Sequence, residues 1–142
     1  MVRNILAVSI GIVTYYLLLV ISILLKMNIG SSPLYNAFTA YKTGHGELFA
    51  KLLEKSLLID VLLIYPIISF ISAFVTGLIT RRSKYLMGGL TIIPYYIVLY
   101  LIPFLLTFSG NAFFYSVAAI FTLSTSSILG TYVSKKIRKK VN

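Results

Sequence analysis

The side chains of this sequence able to do acid, base or ion chemistry lie close together: His45, Glu47, Glu54 and Asp60. They are the single histidine and all three carboxylates of a 142-residue chain that contains no cysteine. Hydrolysis, phosphoryl transfer and metal catalysis each need convergent acid, base, nucleophile or ion ligands. His45 and Glu47 are near enough to form a hydrogen-bonded pair. Gly44 and Gly46 flank the histidine, however, and a solvated Gly-His-Gly turn is the plainer reading. One histidine cannot supply a two-histidine haem or a His-rich zinc site, and the lack of cysteine excludes disulfides, thiolate metal sites and cysteine nucleophiles. No Walker loop, GxSxG elbow or HExxH pair occurs. The sequence points away from an enzyme acting alone and assigns no catalytic, cofactor or metal residue.

Asp60 is the carboxylate nearest an apolar run, and its depth decides what it can do. An aspartate at the centre of a spanning helix costs about 2.5–3.5 kcal/mol on insertion scales, so deeply placed ones are usually functional. Between Asp60 and Arg81 the chain is long enough to cross about 30 Å of hydrocarbon at 1.5 Å per residue, which leaves Asp60 at the boundary. There it is either an interfacial carboxylate favoured by the positive end of a helix dipole, or a proton or cation site facing the bundle. Single acidic residues take the second role in small four-helix multidrug transporters. This sequence departs from them, with no glutamate in its first apolar run and no tryptophan anywhere.

The elements that must position these residues are apolar. Hydrophobic residues make up 58% of the chain and mean hydropathy is +0.94, well above the roughly 45–50% apolar content of soluble domains. Runs at residues 5–25, 61–80, 86–108 and 112–133 each meet the requirement of about 20 residues for a spanning helix. The expected fold is all-α, a single membrane domain built as a four-transmembrane-helix bundle. The first run is too long for a signal-peptide core and no A-x-A-like site follows it, so it reads as an anchor.

The formal charge of +10 comes from 13 basic residues placed at the ends of apolar runs, which suits topology rather than nucleic acid. With the N-terminus inside, the inner segments hold Arg3, Arg81, Arg82, Lys84, Lys135, Lys136, Arg138, Lys139 and Lys140. The outer loop holds Lys26, Lys42, Lys51 and Lys55. Basic residues are retained on the cytoplasmic side, so both termini are expected there. The cluster Lys135, Lys136, Arg138, Lys139 and Lys140 in a tail over residues 134–142 is suited to anionic lipid headgroups. Lys139 and Lys140 would read as a dilysine retrieval signal in the endoplasmic reticulum of a eukaryote, but the Ile, Leu and Lys-rich composition favours a prokaryotic plasma membrane.

Between the first two runs the pattern turns periodic. Ser32 can cap a helix that begins at Pro33, and Leu34, Ala37, Phe38 and Tyr41 recur at i, i+3, i+4 and i+7 before Gly44 closes it. Beyond Gly46 a second amphipathic helix carries Glu47, Lys51, Glu54 and Lys55 on one face, with Glu47 and Lys51 in the favourable order. Residues 26–60 are thus expected to form short interfacial helices, either resting on the outer surface or covering a site, with the second able to run into the next span. The string IGSSPLY resembles a segment early in potassium uptake permeases of the KUP type, and GSSPLYNAFTAYKTGHG is similar to a loop in YczE-like membrane proteins. Each likeness covers one loop and implies no activity or residue role.

Helix association in lipid relies on close packing of small residues. Gly11, Ala73, Gly77, Gly88, Gly89, Ser126 and Gly130 are the candidates, and the glycines all fall in the expected cytoplasmic half. Bulky rings and prolines fill the outer half, so a bundle narrow inside and wider outside is expected. Tyr15, Tyr16, Tyr95 and Tyr96 fall near the midplane, with Tyr100 above them, and their hydroxyls need partners. Thr14, Ser69, Ser72, Thr122, Ser124 and Thr125 lie at similar depth and could bond to them. With Asp60, these five tyrosines are the candidate substrate or proton site.

Two functions suit this inventory. One is a non-enzymatic accessory or scaffold subunit, with membrane lipids and another membrane protein or its own copies as partners. The other is a small oligomeric transporter or channel using Asp60 and the tyrosines. A membrane enzyme whose site is shared with a partner is a third class.

Overall fold

A computed structural model describes residues 2–80, 84–97 and 110–141, without the side chains of residues 84, 110–112 and 139–141. Every element among the described residues is helical: α1 (Val2–Asn28), α2 (Pro33–Lys42), α3 (Gly46–Ile59), a π-helical turn (Asp60–Ile64), α4 (Tyr65–Ile79), α5 (Lys84–Leu90), α6 (Ile93–Tyr96) and α7 (Gly110–Val141). Among the described residues three helices are long and apolar enough to cross a membrane: α1, the continuous helix Gly46–Ile79, and Phe113–Arg138 within α7.

Contacts along the helices set their directions. Lys26 meets Asp60 while Arg3 meets Ile79, so α1 runs antiparallel to α4. Tyr115 meets Glu54, Thr122 meets Val61 and Arg138 meets Thr80, so α7 runs parallel to the Gly46–Ile79 helix and packs against its π turn and α4. α5 crosses between them, with Gly88 beside both Ala73 and Thr131.

The loop signals act as their chemistry dictates. Ser32 has extended backbone and its side chain accepts from the Tyr35 amide, while Pro33 occupies the first turn of α2. Gly44 takes a positive φ of 78°, a conformation costly for other residues, and turns α2 back onto α3. Instead of standing apart at an interface, α3 is the first part of a 34-residue helix. At 1.5 Å per residue its 14 residues extend about 21 Å past Asp60.

Two helices end elsewhere than the apolar runs do. The third run was expected as one helix over 86–108, but the described part breaks at Thr91 and Ile92. Pro94 has no amide hydrogen and crowds the preceding turn, and the Thr91 and Ile92 amides donate three residues back, to Gly88 and Gly89 at 3.3 and 3.2 Å. Residues 98–108 lie outside the described part. The segment over 134–142 was expected as a tail, whereas α7 continues as helix to Val141.

At the Arg138 end, small residues bring the backbones together. A Cβ at Gly130 would strike the Phe70 carbonyl oxygen of α4, one at Gly77 would meet Ser134, one at Gly88 would meet Thr131, and one at Gly11 would meet Thr76. Ala73 is fully buried and Ser126 half-buried, but a Cβ at Gly89 would meet nothing within 4 Å. Toward the Asp60 end the core is made of rings and branched chains, Tyr15, Val61, Ile68, Ile92, Tyr95 and Leu123, packed with Ala119.

Candidate functional site

A buried ion pair closes the other end of the bundle. Lys26 lies in the last turn of α1 and Asp60 in the first π turn, and Lys26 Nζ donates to both carboxylate oxygens of Asp60 at 2.7 Å. Their side chains are only 14% and 6% exposed. Tyr65, one turn further on, donates its hydroxyl to Asp60 Oδ2 at 3.4 Å. The widened turn at Asp60–Ile64 sits where the acid is presented, and single π turns inside helices often occur at functional sites.

The loop motif holds the lysine in place. Ser32 donates its hydroxyl to the Lys26 carbonyl while accepting from the Tyr35 amide, so one side chain ties the end of α1 to the start of α2. Lys26 is thereby fixed by its own backbone as well as by its partner.

From Asp60 the polar site leads into an aromatic column. The rings of Tyr65 and Tyr95 lie 5.3 Å apart in an edge arrangement, and those of Tyr95 and Tyr15 lie 4.7 Å apart. Tyr16 meets the edge of Tyr15 at 6.2 Å but is 40% exposed. The structure thus joins Asp60, Tyr15 and Tyr95 through Tyr65, places Tyr16 at the margin, and puts Tyr96 in a groove beside α7. Tyr100 lies outside the described residues.

The hydroxyls expected to serve the tyrosines mostly serve backbone. Ser72 donates to the Gly11 carbonyl at 2.7 Å and Ser69 to the Leu123 carbonyl at 3.2 Å, linking α4 to α1 and α7. Thr14 and Thr125 donate within their own helices at 2.8 Å. Thr122 does the same and also reaches the Val61 carbonyl. That carbonyl lies in the π turn, where helical bonding is stretched.

Lys26 and Tyr65 are the residues of this site that the sequence reading left aside. The available signal was positional: Lys26 ends the first apolar run and Asp60 begins the second, and an antiparallel pair of helices brings such ends together.

The basic cluster divides by role. Arg138 donates to the Leu78 and Thr80 carbonyls at 3.4 and 3.2 Å, and Arg3 donates to the Ile79 carbonyl at 2.8 Å. Together they satisfy the open C-terminus of α4, where cations are favoured. Lys135 lies over the Tyr85 ring, 5.6 Å from its centre, and Lys136 is exposed. The side chains of Lys139 and Lys140 lie outside the described ones.

No group of three or more His, Cys, Asp or Glu able to hold a metal occurs among the described residues. Comparison of the chain with protein-family models, with curated proteins and with solved structures gives no match to any of them.

Proposed function

We propose that this protein is a four-span membrane protein with both termini cytoplasmic, acting as a non-enzymatic accessory or scaffold subunit of a larger membrane assembly. The third crossing in this reading starts with α5 and α6. The observation that carries the reading is the head formed by α2 and α3, which pack against each other. It stands on the continuous helix Gly46–Ile79, and Tyr115 of α7 donates to Glu54 within it. Tyr35, Phe38, Tyr41 and Leu48 remain 40–66% exposed on it. Large aromatic side chains are the usual anchors of protein contacts. Of the groups able to do chemistry, Asp60 is engaged by Lys26 and Glu54 by Tyr115, while His45 and Glu47 are exposed where α3 begins.

The test uses the lack of native cysteine. Tyr41→Cys carries a benzophenone maleimide in native membranes, with Val13→Cys on the exposed face of α1 as control. A single discrete cross-linked polypeptide from position 41 alone supports the proposal. Identical patterns from both positions contradict it.

The buried Lys26–Asp60 pair favours a second reading, a small transporter whose cation site is held closed by an internal lysine. Intramembrane ionisable residues commonly mark ion paths. Under this reading Asp60→Asn abolishes cation- or proton-dependent flux in liposomes, and unchanged flux removes it.

A further inference from the structure

The groove beside α7 is built on the one candidate packing glycine that packs against nothing. It has a volume of about 540 Å³ and runs between α5, α6 and α7, with Leu86, Gly89, Ile93 and Tyr96 on one wall and Ile120 and Ile128 on the other. Along α7 the eight steps from Ile120 to Ile128 cover about 12 Å. The walls are almost wholly apolar, and the volume falls within the roughly 300–1,000 Å³ of ligand sites. Gly89 keeps the floor open, since a Cβ there meets no atom within 4 Å.

The mouth of the groove is not apolar. Tyr85 lines it at the Arg138 end, and the Lys135 ammonium stands over that ring. Unlike Arg138, whose guanidinium caps α4, Lys135 is exposed, at the end of the bundle that the membrane reading proposed above puts at the cytoplasmic headgroups. An apolar slot ending at a cation fits an amphiphile with one negative end.

We infer that this groove binds one acyl chain of an anionic phospholipid, with Lys135 against the phosphate headgroup. The inference rests on the membrane reading proposed above. It assigns Lys135 to a defined lipid site and leaves Lys136 to the general surface charge.

The absence of tryptophan makes the test direct. The full chain carrying Leu86→Trp at the groove, or Leu6→Trp on α1 near the same end, is reconstituted in phosphatidylcholine vesicles. Both native leucines are more than half exposed. Quenching is compared between acyl-brominated phosphatidylglycerol and acyl-brominated phosphatidylcholine. The expected result is a preference of about fivefold for the anionic lipid at Leu86→Trp, the factor given by about 1 kcal/mol per basic residue, and no preference at Leu6→Trp. Lys135→Gln and, separately, Gly89→Leu bring the groove reporter to no preference. Equal preference at both reporters, or a preference that survives Lys135→Gln, overturns the site while leaving the membrane reading intact. Absence of quenching by either lipid at either reporter overturns both.

Discussion

Gly130→Ala measures how strongly backbone contact holds α4 against α7. The added methyl would collide with the Phe70 carbonyl oxygen and lie 3.1 Å from the Phe74 nitrogen, so main chain rather than a mobile side chain must yield. Overpacking of this kind costs about 1–3 kcal/mol, and an obstacle made of backbone places the change near the top of that range. Replacing glycine by alanine inside a helix returns about 1 kcal/mol. A net loss of about 2 kcal/mol follows, roughly a thirtyfold change in the folded ratio. In lipid no hydrophobic force presses the helices together again, and a gap of about 0.5–1 Å already forfeits a quarter to a half of each dispersion contact. Gly77→Ala should cost less, because its nearest obstacle, Ser134 Oγ, can rotate away and leaves Ser134 Cβ at 3.0 Å and the Thr131 Cα at 3.4 Å. Gly89→Ala should be neutral or stabilising. The assay is reversible unfolding in mixed micelles titrated with denaturing detergent. A Gly130→Ala protein as stable as the parent, or a Gly89→Ala protein as damaged as Gly130→Ala, would refute the packing argument.

Lys26→Met leaves the Asp60 carboxylate buried with Tyr65 as its remaining described donor, and should destabilise by about 3–5 kcal/mol in the same assay. Adding Asp60→Leu should recover most of that loss; a double variant no better than Lys26→Met would show that the pair is not coupled. Ser32→Ala removes the cap of α2 and the tie to Lys26, costing about 1 kcal/mol, so hydrogen exchange at the Tyr35 amide should quicken about fivefold. An unchanged rate there would mean that the cap holds nothing.

Elements with local signals were readable in the chain itself. Ser32, Pro33 and Gly44 bounded α2 because capping, a preset φ and a positive φ are properties of single residues. Three of the four long apolar runs marked helices able to span a membrane among the described residues, because length and hydropathy need no partner. The break before Pro94 was written in the sequence but masked by the unbroken hydropathy around it. The π turn at Asp60–Ile64 had a local signal too: Pro66 has no amide hydrogen to offer the Leu62 carbonyl and crowds the turn before it. Asp60 was recognisable as unusual, whereas its pairing with a lysine 34 residues away depended on the directions of two helices. The roles of Arg3 and Arg138 were hidden for the same reason: charge counting assigns both to topology, and only the folded bundle puts them on the α4 carbonyls.

The most direct test of the accessory-subunit account is native mass spectrometry of the protein extracted from its own membrane in a mild detergent. The account predicts a complex in which a second polypeptide is bound at fixed stoichiometry and lost when Phe38 and Tyr41 on the head are replaced by serine. A mass corresponding to this chain alone, as monomer or homo-oligomer, would contradict it.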